Sequence, residues 1–211
     1  MTDMAGQLVV LEGVGWDTYD QLLAEIDHSP GMRFSYDDYD DGTLQIRVGS
    51  FLHERANRLL ASIVEMVTME WELDIALSGS ITIKRPDLHK GFEPDSSFYI
   101  RNAAAVRGKY EFDFTVDPPP DLVIEVDINS DSMNKFPIFA AVGVREVWRY
   151  HDGVVSIHVA RQGGYIEAAK SEMLPPLTGE LLTSFLKAGL EQDRPKWIRG
   201  IREWARSATR S

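Results

Sequence analysis

The stretch Asp121-Leu122-Val123-Ile124-Glu125-Val126-Asp127 predicts a buried β-strand that ends in carboxylates. Its interior is aliphatic and β-branched apart from Glu125, a pattern typical of a central strand covered on both faces. Strand side chains alternate between faces, so Glu125 and Asp127 are expected to point the same way. An ionised glutamate in such a strand costs several kcal/mol to bury unless a cation or hydrogen bonds compensate. This stretch therefore predicts a site as well as a fold.

A second pair of acids precedes a second apolar strand. Glu93-Pro94-Asp95 opens a stretch that continues through Phe98-Tyr99-Ile100. Two same-face pairs in neighbouring strands would converge on a divalent metal. The alternative is structural, because Glu93 before a proline and Asp121 after three prolines are also typical of turns. Residues 127–131 would then form a loop whose side chains cap the next helix.

Length and composition favour one domain over residues 1–211. Of the 211 residues, 44% are hydrophobic and 26% are charged, which is ordinary for a globular protein. No apolar run approaches the roughly 18 residues of a membrane span, and no signal-peptide pattern opens the chain. The absence of cysteine excludes disulfides, thiolate metal sites and a cysteine nucleophile. We therefore expect a cytoplasmic protein with no membrane partner.

The predicted elements are those of a mixed α/β (α+β) protein, with a central mixed β-sheet flanked by helices. Helical spacing predicts a short helix, a long core helix capped by Ser50, and a helix ended by Gly143, over Asp17–Ile26, Phe51–Trp71 and Asn134–Val142. A hairpin is predicted around the turn Asp40-Asp41-Gly42. Further strands are expected over 73–77, 81–85, 144–150 and 154–159, all in one sheet. Residues 179–206 are expected to form a helical C-terminal extension parted near Asp193-Arg194-Pro195.

The C-terminal segment leaves two questions open. The net charge of −11 argues mildly against indiscriminate nucleic-acid binding, because phosphate contacts need lysine and arginine. A local basic surface and the solvated face of an amphipathic helix both fit the residues Lys196, Arg199, Arg202, Arg206 and Arg210. Trp197, Ile201 and Trp204 share one helical face. An exposed stripe of this kind would mark a homodimer interface, and core packing is the alternative.

Carboxylates on two strands suit a hard divalent cation such as Mg²⁺ or Mn²⁺, which prefers oxygen ligands. Asp95 and Glu125 can each supply one oxygen, and the backbone carbonyl of Val126 can supply another. Asp127 can add an outer-shell contact or hold a second metal. Lys135, ten residues beyond Glu125, can orient an attacking water or stabilise charge on a phosphate. The implied chemistry is metal-assisted hydrolysis of a phosphodiester.

These residue types in this order resemble the PD-(D/E)xK nuclease superfamily and, more closely, the Uma-two family of restriction-endonuclease-like bacterial proteins. Besides Lys135, the resemblance rests on three motifs that span about half the chain: Gly91-Phe92-Glu93-Pro94-Asp95, Pro120-Asp121-Leu122-Val123-Ile124-Glu125-Val126 and Gly143-Val144-Arg145-Glu146-Val147-Trp148. The resemblance implies a restriction endonuclease-like core whose sheet holds Asp95 and Glu125 at one edge of a cleft. It also implies a metal-dependent endonuclease acting on nucleic acid, with DNA as the expected substrate.

Three further positions bear on the resemblance. The superfamily places lysine two residues after the acid, where this chain has Asp127, so Lys135 would have to take over that role, as this family does generally. His53 occupies the place of a histidine common in the family, and Glu54 that of a first-helix acid that reaches metal through water in some related nucleases. For both residues the alternative is a local cap or a surface pair near the start of the long helix.

Two rival functions remain open on the sequence. A catalytically silent interaction module would keep the nuclease fold without its activity. A metal-dependent phosphoesterase acting on small phosphates would need no basic groove. A positive channel beside the acids would favour nucleic acid, and a small closed pocket would favour a small substrate.

Overall fold

The structure is a computed structural model, and it describes residues 7–26, 32–38, 42–128 and 134–208. The strands are Gln7–Glu12 (β1), Met32–Asp37 (β2), Thr43–Val48 (β3), Ala76–Leu77 (β4), Ile83–Arg85 (β5), Lys90–Phe92 (β6), Ser96–Tyr99 (β7), Leu122–Asp127 (β8), Glu146–His151 (β9), Val154–Arg161 (β10) and Gly164–Ala168 (β11). The α-helices are Trp16–Ile26 (α1), Phe51–Glu70 (α2), Ala103–Val106 (α3), Phe136–Val142 (α4), Gly179–Glu191 (α5) and Arg194–Ser207 (α6).

The strands divide between two sheets. The central one is mixed and has the order β11-β10-β9-β8-β7-β4, in which β8 and β9 are parallel and the other neighbours are antiparallel. The second is antiparallel and has the order β1-β3-β2-β6-β5. The predicted central mixed sheet flanked by helices is confirmed, whereas the expectation of a single sheet is wrong. The predicted hairpin becomes β2 and β3 of the second sheet. Residues 39–41, which include Asp40 and Asp41 of the predicted turn, lie outside the described residues.

Strand β8 is buried along its whole length. Its side chains Leu122, Ile124 and Val126 enter the main core, where α2 packs, and Val123 enters a second core with α4 on the opposite side. Each fully buried aliphatic side chain of this kind contributes roughly 1.5–3 kcal/mol. The alternation therefore commits Glu125, two residues from Val123, to the face that α4 covers.

Helix α2 begins where the sequence predicts. The hydroxyl of Ser50 accepts a hydrogen bond from the backbone N–H of His53 at 3.2 Å, which caps the first turn. The apolar stripe that starts at Ala56 and ends at Val67 is fully buried against the central sheet. Because the first turn is fixed by both the cap and this packing, His53 is held with its Nε2 3.1 Å from Oδ2 of Asp95.

The C-terminal helices pack onto α2. Trp197 and Ile201 are buried, and the indole N–H of Trp197 donates to the carbonyl of Phe185. The stripe that includes Trp204 therefore packs within its own chain, as the core-packing alternative predicts. The basic residues of α6 lie on its exposed face, where Arg202 and Arg206 bind Glu70. None of the described helices has the length and apolar character that a membrane crossing needs.

Candidate active site

Glu125 and Lys135 form a buried ion pair at the centre of the candidate site. The Nζ of Lys135 donates to Oε2 of Glu125 at 2.7 Å, and each side chain is less than a tenth exposed. Lys135 reaches the strand from the residue that precedes α4. Within the described residues no donor reaches the other carboxylate oxygen of Glu125, Oε1, which is also buried. A buried oxygen without a hydrogen-bond partner costs about 1–3 kcal/mol of stability, and a bound ligand would remove that cost.

Asp95 lies immediately before β7, which is the strand next to β8. The antiparallel register pairs Ser96 with Ile124, so one step further Asp95 falls opposite Glu125. Its Oδ2 accepts a hydrogen bond from the backbone N–H of Val126 at 2.7 Å, and Nε2 of His53 lies 3.1 Å from the same oxygen. Side chains directly opposite each other have Cβ atoms about 4.5–5.5 Å apart. The structure therefore brings the two predicted ligands together.

Burial acts differently on the two carboxyl groups. Desolvation raises the pKa of Glu125 and the neighbouring Asp95 charge raises it further, while Lys135 and Arg47 oppose the shift without cancelling it. Burial also works to raise the pKa of Asp95, but the contact with His53 and the charges of Lys135 and Arg47 lower the pKa below its usual value. Asp95 is thus the more readily ionised member of the pair. Added positive charge would favour ionisation of both.

Asn57 and His53 fix the geometry around Asp95. The amide nitrogen of Asn57 donates to the backbone carbonyl of Asp95 at 3.0 Å, and its amide oxygen accepts from the Ser96 hydroxyl at 2.8 Å. His53 is 4% exposed, whereas the Glu54 carboxylate is close to half exposed and lies 3.8 Å from Nδ1 of His53. His53 therefore joins the site and Glu54 stands at its margin. Sequence reasoning missed Asn57, although it lies one turn beyond His53 on the same face of α2.

Asp127 shares the face of Glu125 but is bound by arginines. Its Oδ1 accepts from Nη2 of Arg47 at 3.0 Å, and its Oδ2 accepts from Arg149 through Nη2 at 2.8 Å and Nε at 3.1 Å. Arg47 also donates to the carbonyl of Val126 at 2.8 Å. Both groups predicted to assist the metal are therefore engaged by Arg47. Neither arginine was singled out from the sequence, since charged residues in strands usually face solvent.

Glu93 is not part of this site. Its carboxylate accepts from the Thr82 hydroxyl at 2.7 Å and from the backbone N–H of Phe34 at 3.1 Å, and it lines a separate cavity of about 750 Å³. The prediction that Glu93 and Asp95 form a same-face pair is wrong because Pro94 separates β6 from β7. Side-chain alternation holds only within a continuous strand. Ser80, Thr82 and Lys84 line this other cavity too.

A small cavity of about 120 Å³ adjoins the ion pair. Basic, acidic, amide and apolar side chains line it, namely Arg47, Lys135, Arg149, Glu125, Asp127, Asn134, Phe136, Phe139 and Val147. The acidic residues are those already bound by the basic ones. What remains open to a ligand is a recess with basic groups on several sides and an apolar wall.

The donor set suits a divalent cation that keeps much of its water. In the described part of the chain no three His, Asp or Glu side chains form a metal-binding group by themselves. Magnesium is commonly bound through one or two carboxylates with waters and substrate phosphates completing its shell, unlike zinc in a closed structural site. Asp95 and Glu125, whose Oε1 has no partner in the described part of the chain, therefore fit Mg²⁺ or Mn²⁺.

The mixed sheet and the carboxylates on its neighbouring strands define a restriction endonuclease-like protein. A family model described as "Putative restriction endonuclease", Uma2, matches residues 16–192. The chain therefore belongs to the Uma2 family, the Uma-two family that the motifs indicate.

A solved structure agrees on the fold. The crystal structure of "a putative nuclease belonging to DUF820" from Anabaena variabilis matches with a TM-score of 0.54 and 12% sequence identity, covering 82% of this chain and 99% of that one. At this identity the likeness shows the fold alone. No protein of curated function matches the chain significantly.

Proposed function

We propose that this protein is a Mg²⁺- or Mn²⁺-dependent endonuclease that hydrolyses phosphodiester bonds of nucleic acid, with DNA as its substrate. The observation that carries the proposal is the pair Asp95 and Glu125, two buried carboxylates that lie opposite each other across neighbouring strands; no donor among the described residues reaches Oε1 of Glu125. Strand carboxylates with shifted pKa values are candidates for function because their burial is costly. Membership of the Uma2 family supports the same class of reaction.

Asp95 and Glu125 would hold the metal. When bound, the cation would polarise a phosphoryl oxygen and lower the pKa of a coordinated water, which is the chemistry that phosphodiester hydrolysis requires. The carboxylates supply the negative charge that binds it. Both carboxylates are buried, which limits competition from bulk solvent.

The other residues prepare these ligands. Lys135 stabilises the ionised form of Glu125 through the 2.7 Å contact and places a positive charge where a phosphate would arrive. The backbone N–H of Val126 donates to Oδ2 of Asp95, and the His53 ring lies 3.1 Å from the same oxygen, so both hold Asp95 in place. We assign Asp127 a positioning role, because its two oxygens already accept hydrogen bonds from guanidinium groups.

The small size of the recess beside Glu125 favours one alternative, a phosphoesterase acting on small phosphates. At about 120 Å³ the recess is well below the roughly 300–1,000 Å³ of a site that encloses a drug-sized ligand. A phosphate group fits this volume, whereas an enclosed nucleotide does not. A polynucleotide would have to lie across the mouth.

Metal titration by calorimetry tests the proposal. The wild type should bind Mg²⁺ or Mn²⁺, and Glu125→Gln and Asp95→Asn should each lose most of that affinity while keeping the fold. Glu93→Gln is the matched control, since it neutralises a carboxylate two residues from Asp95 that lies outside the site. Unchanged metal binding in Glu125→Gln would reject the assignment.

A further inference from the structure

Two arginines from different sheets converge on one aspartate beside the candidate active site. Arg47 extends from β3 of the second sheet, and Arg149 from β9 of the central sheet. Both bind Asp127, and the register of the parallel strands places Arg149 beside Glu125. The arginine cluster, defined as Arg47, Arg149 and Asp127, therefore adjoins the ligand pair directly.

The recess between this cluster and Lys135 carries a positive charge. Three basic side chains line it against two acidic ones, which leaves one positive charge in a chain whose net charge is −11. Phe136, Phe139 and Val147 form its apolar wall, which strengthens electrostatic attraction by excluding water. A concave basic surface of this kind attracts anions.

Arg149 is able to engage a ligand without releasing Asp127. Its side chain is 34% exposed, and it uses Nε and Nη2 for the aspartate. Arg47, by contrast, is 9% exposed and is held by both the Val126 carbonyl and Asp127. A guanidinium group offers five N–H donors in a planar fork that matches phosphate oxygens. Asp127 thus holds Arg149 at the recess, while Arg47 binds the other carboxylate oxygen of Asp127.

We infer that this recess binds a single phosphate group of a polynucleotide strand, with Arg149 as its principal ligand. The inference rests on the proposed function for its substrate class, and it adds a phosphate-binding residue distinct from the metal ligands. The recess accommodates one phosphate, so the strand lies across its mouth. Glu125 lines the same recess, so the bound phosphate is next to the metal ligands.

The first experiment measures binding of inorganic phosphate by ³¹P NMR titration in metal-free buffer with chelator. Wild-type protein should bind phosphate, and Arg149→Gln should weaken binding at least tenfold, the loss of one charge-assisted contact. Arg161→Gln is the matched control, because Arg161 lies on neighbouring β10 and pairs with Glu172 at the surface. Circular dichroism checks the fold of each variant. If Arg149→Gln does not fold, Arg149→Lys keeps the charge and should still weaken binding, through loss of the planar fork.

The second experiment distinguishes a polynucleotide from a small phosphate ester. A short single-stranded oligothymidylate should displace inorganic phosphate from the wild type, and its own affinity should fall in Arg149→Gln with a salt slope reduced by about one. Phosphate binding that the oligonucleotide does not displace would overturn the polynucleotide assignment. Equal phosphate binding by wild type and Arg149→Gln, or none by the wild type, would overturn the inference altogether.

Metal binding and phosphate binding, measured separately in the same variants, distinguish failure of the proposed function from failure of the phosphate site. Asp95→Asn and Glu125→Gln should lose metal binding yet retain phosphate binding, because each removes a negative charge near the recess. Arg149→Gln should do the opposite. Phosphate binding through Arg149 in a protein that binds no metal would sustain the phosphate site and reject the metal-dependent nuclease.

Discussion

Lys135 reaches Glu125 from the residue before α4, and its Nζ lies 2.7 Å from Oε2 of the carboxylate. The position two residues after Glu125, where the superfamily pattern has lysine, holds Asp127, which binds arginines. A lysine therefore contacts the same carboxylate from a position ten residues later in the chain. This contact explains how a strand glutamate is tolerated in the interior, because the ammonium compensates part of its burial.

Lys135→Met should destabilise the protein by about 3–5 kcal/mol, since it leaves Glu125 buried and unpaired. Denaturant unfolding measures this change. Lys84→Met is the matched control: its pair with Asp20 is more than a third exposed, so its loss should cost about 0–1 kcal/mol. The double variant Lys135→Met with Glu125→Gln should recover stability, because the unpaired charge is gone. An equal loss in the single and double variants would contradict the buried pair.

His53→Gln should lower the affinity for Mg²⁺ or Mn²⁺ by about 10- to 100-fold, the usual range when a residue that orients a metal ligand is removed. The physical reason is the 3.1 Å contact to Oδ2 of Asp95, which lowers the pKa of that carboxyl. Calorimetric titration gives the affinity. Glu54→Gln, one residue away and near half-exposed, should leave it within about twofold of wild type. Equal effects of the two substitutions on metal affinity would show that His53 does not hold Asp95 for metal binding.

Glu146→Ala should cost about 3 kcal/mol or more, because four donors, three of them in buried hydrogen bonds, lose their acceptor. The Glu146 carboxylate accepts from Trp148 Nε1, the Ser171 hydroxyl and the backbone N–H groups of Glu172 and Met173. It ties β9 to the segment before α5 and lies opposite Leu122, at the end of β8 away from Glu125. Thermal unfolding should show the loss while metal affinity of the folded variant stays at the wild-type value. If the variant binds metal more weakly than wild type under conditions in which it is fully folded, Glu146 would belong to the metal site.

The stability contribution of Glu70 should depend on pH in a defined direction. Hydrogen bonds from Arg206 and Arg202 hold the pKa of the Glu70 carboxyl below its usual value of 4.5. A lowered folded-state pKa gives stability that is complete above the unfolded pKa and is lost as the pH falls through the folded pKa. Glu70→Gln should therefore be less stable than wild type at neutral pH, and the difference should shrink in acid. Denaturant titrations from pH 7 down to about pH 3 test this, with the exposed Glu65→Gln as control; a constant difference would contradict the assignment.

The sequence predicts those elements of this fold that a local pattern of apolar residues determines. Strand β8 is predicted because an apolar run interrupted only by Glu125 suits a strand covered on both faces, and α2 because its apolar stripe has helical spacing. The division into two sheets is not predictable in this way, since strand pairing depends on contacts distant in the chain. What covers the Trp197 stripe is not predictable for the same reason. Helical spacing identifies an apolar face but not the residues that pack on it.

The sequence likewise predicts some residues of the candidate site and not others. Asp95 and Glu125 were found because carboxylates in apolar strands are unusual, and the register then brings them together. Glu93 was misplaced because the strand breaks at Pro94. Arg47 and Arg149 were missed because an alternating charged residue in a strand normally faces water. Only the approach of the second sheet turns Arg47 inward, to Asp127.

Nuclease activity is the most direct test of the central claim that Asp95 and Glu125 hold a catalytic metal. Single-stranded, duplex and branched DNA would be incubated with Mg²⁺ or Mn²⁺ and wild type, Asp95→Ala or Glu125→Ala, with Glu93→Gln as the off-site control. We expect cleavage by wild type and Glu93→Gln that disappears in chelator and in both alanine variants. Cleavage that survives in folded Asp95→Ala and Glu125→Ala would contradict the claim, and a wild type that neither binds metal nor cleaves any of these substrates would leave a catalytically silent module in its place.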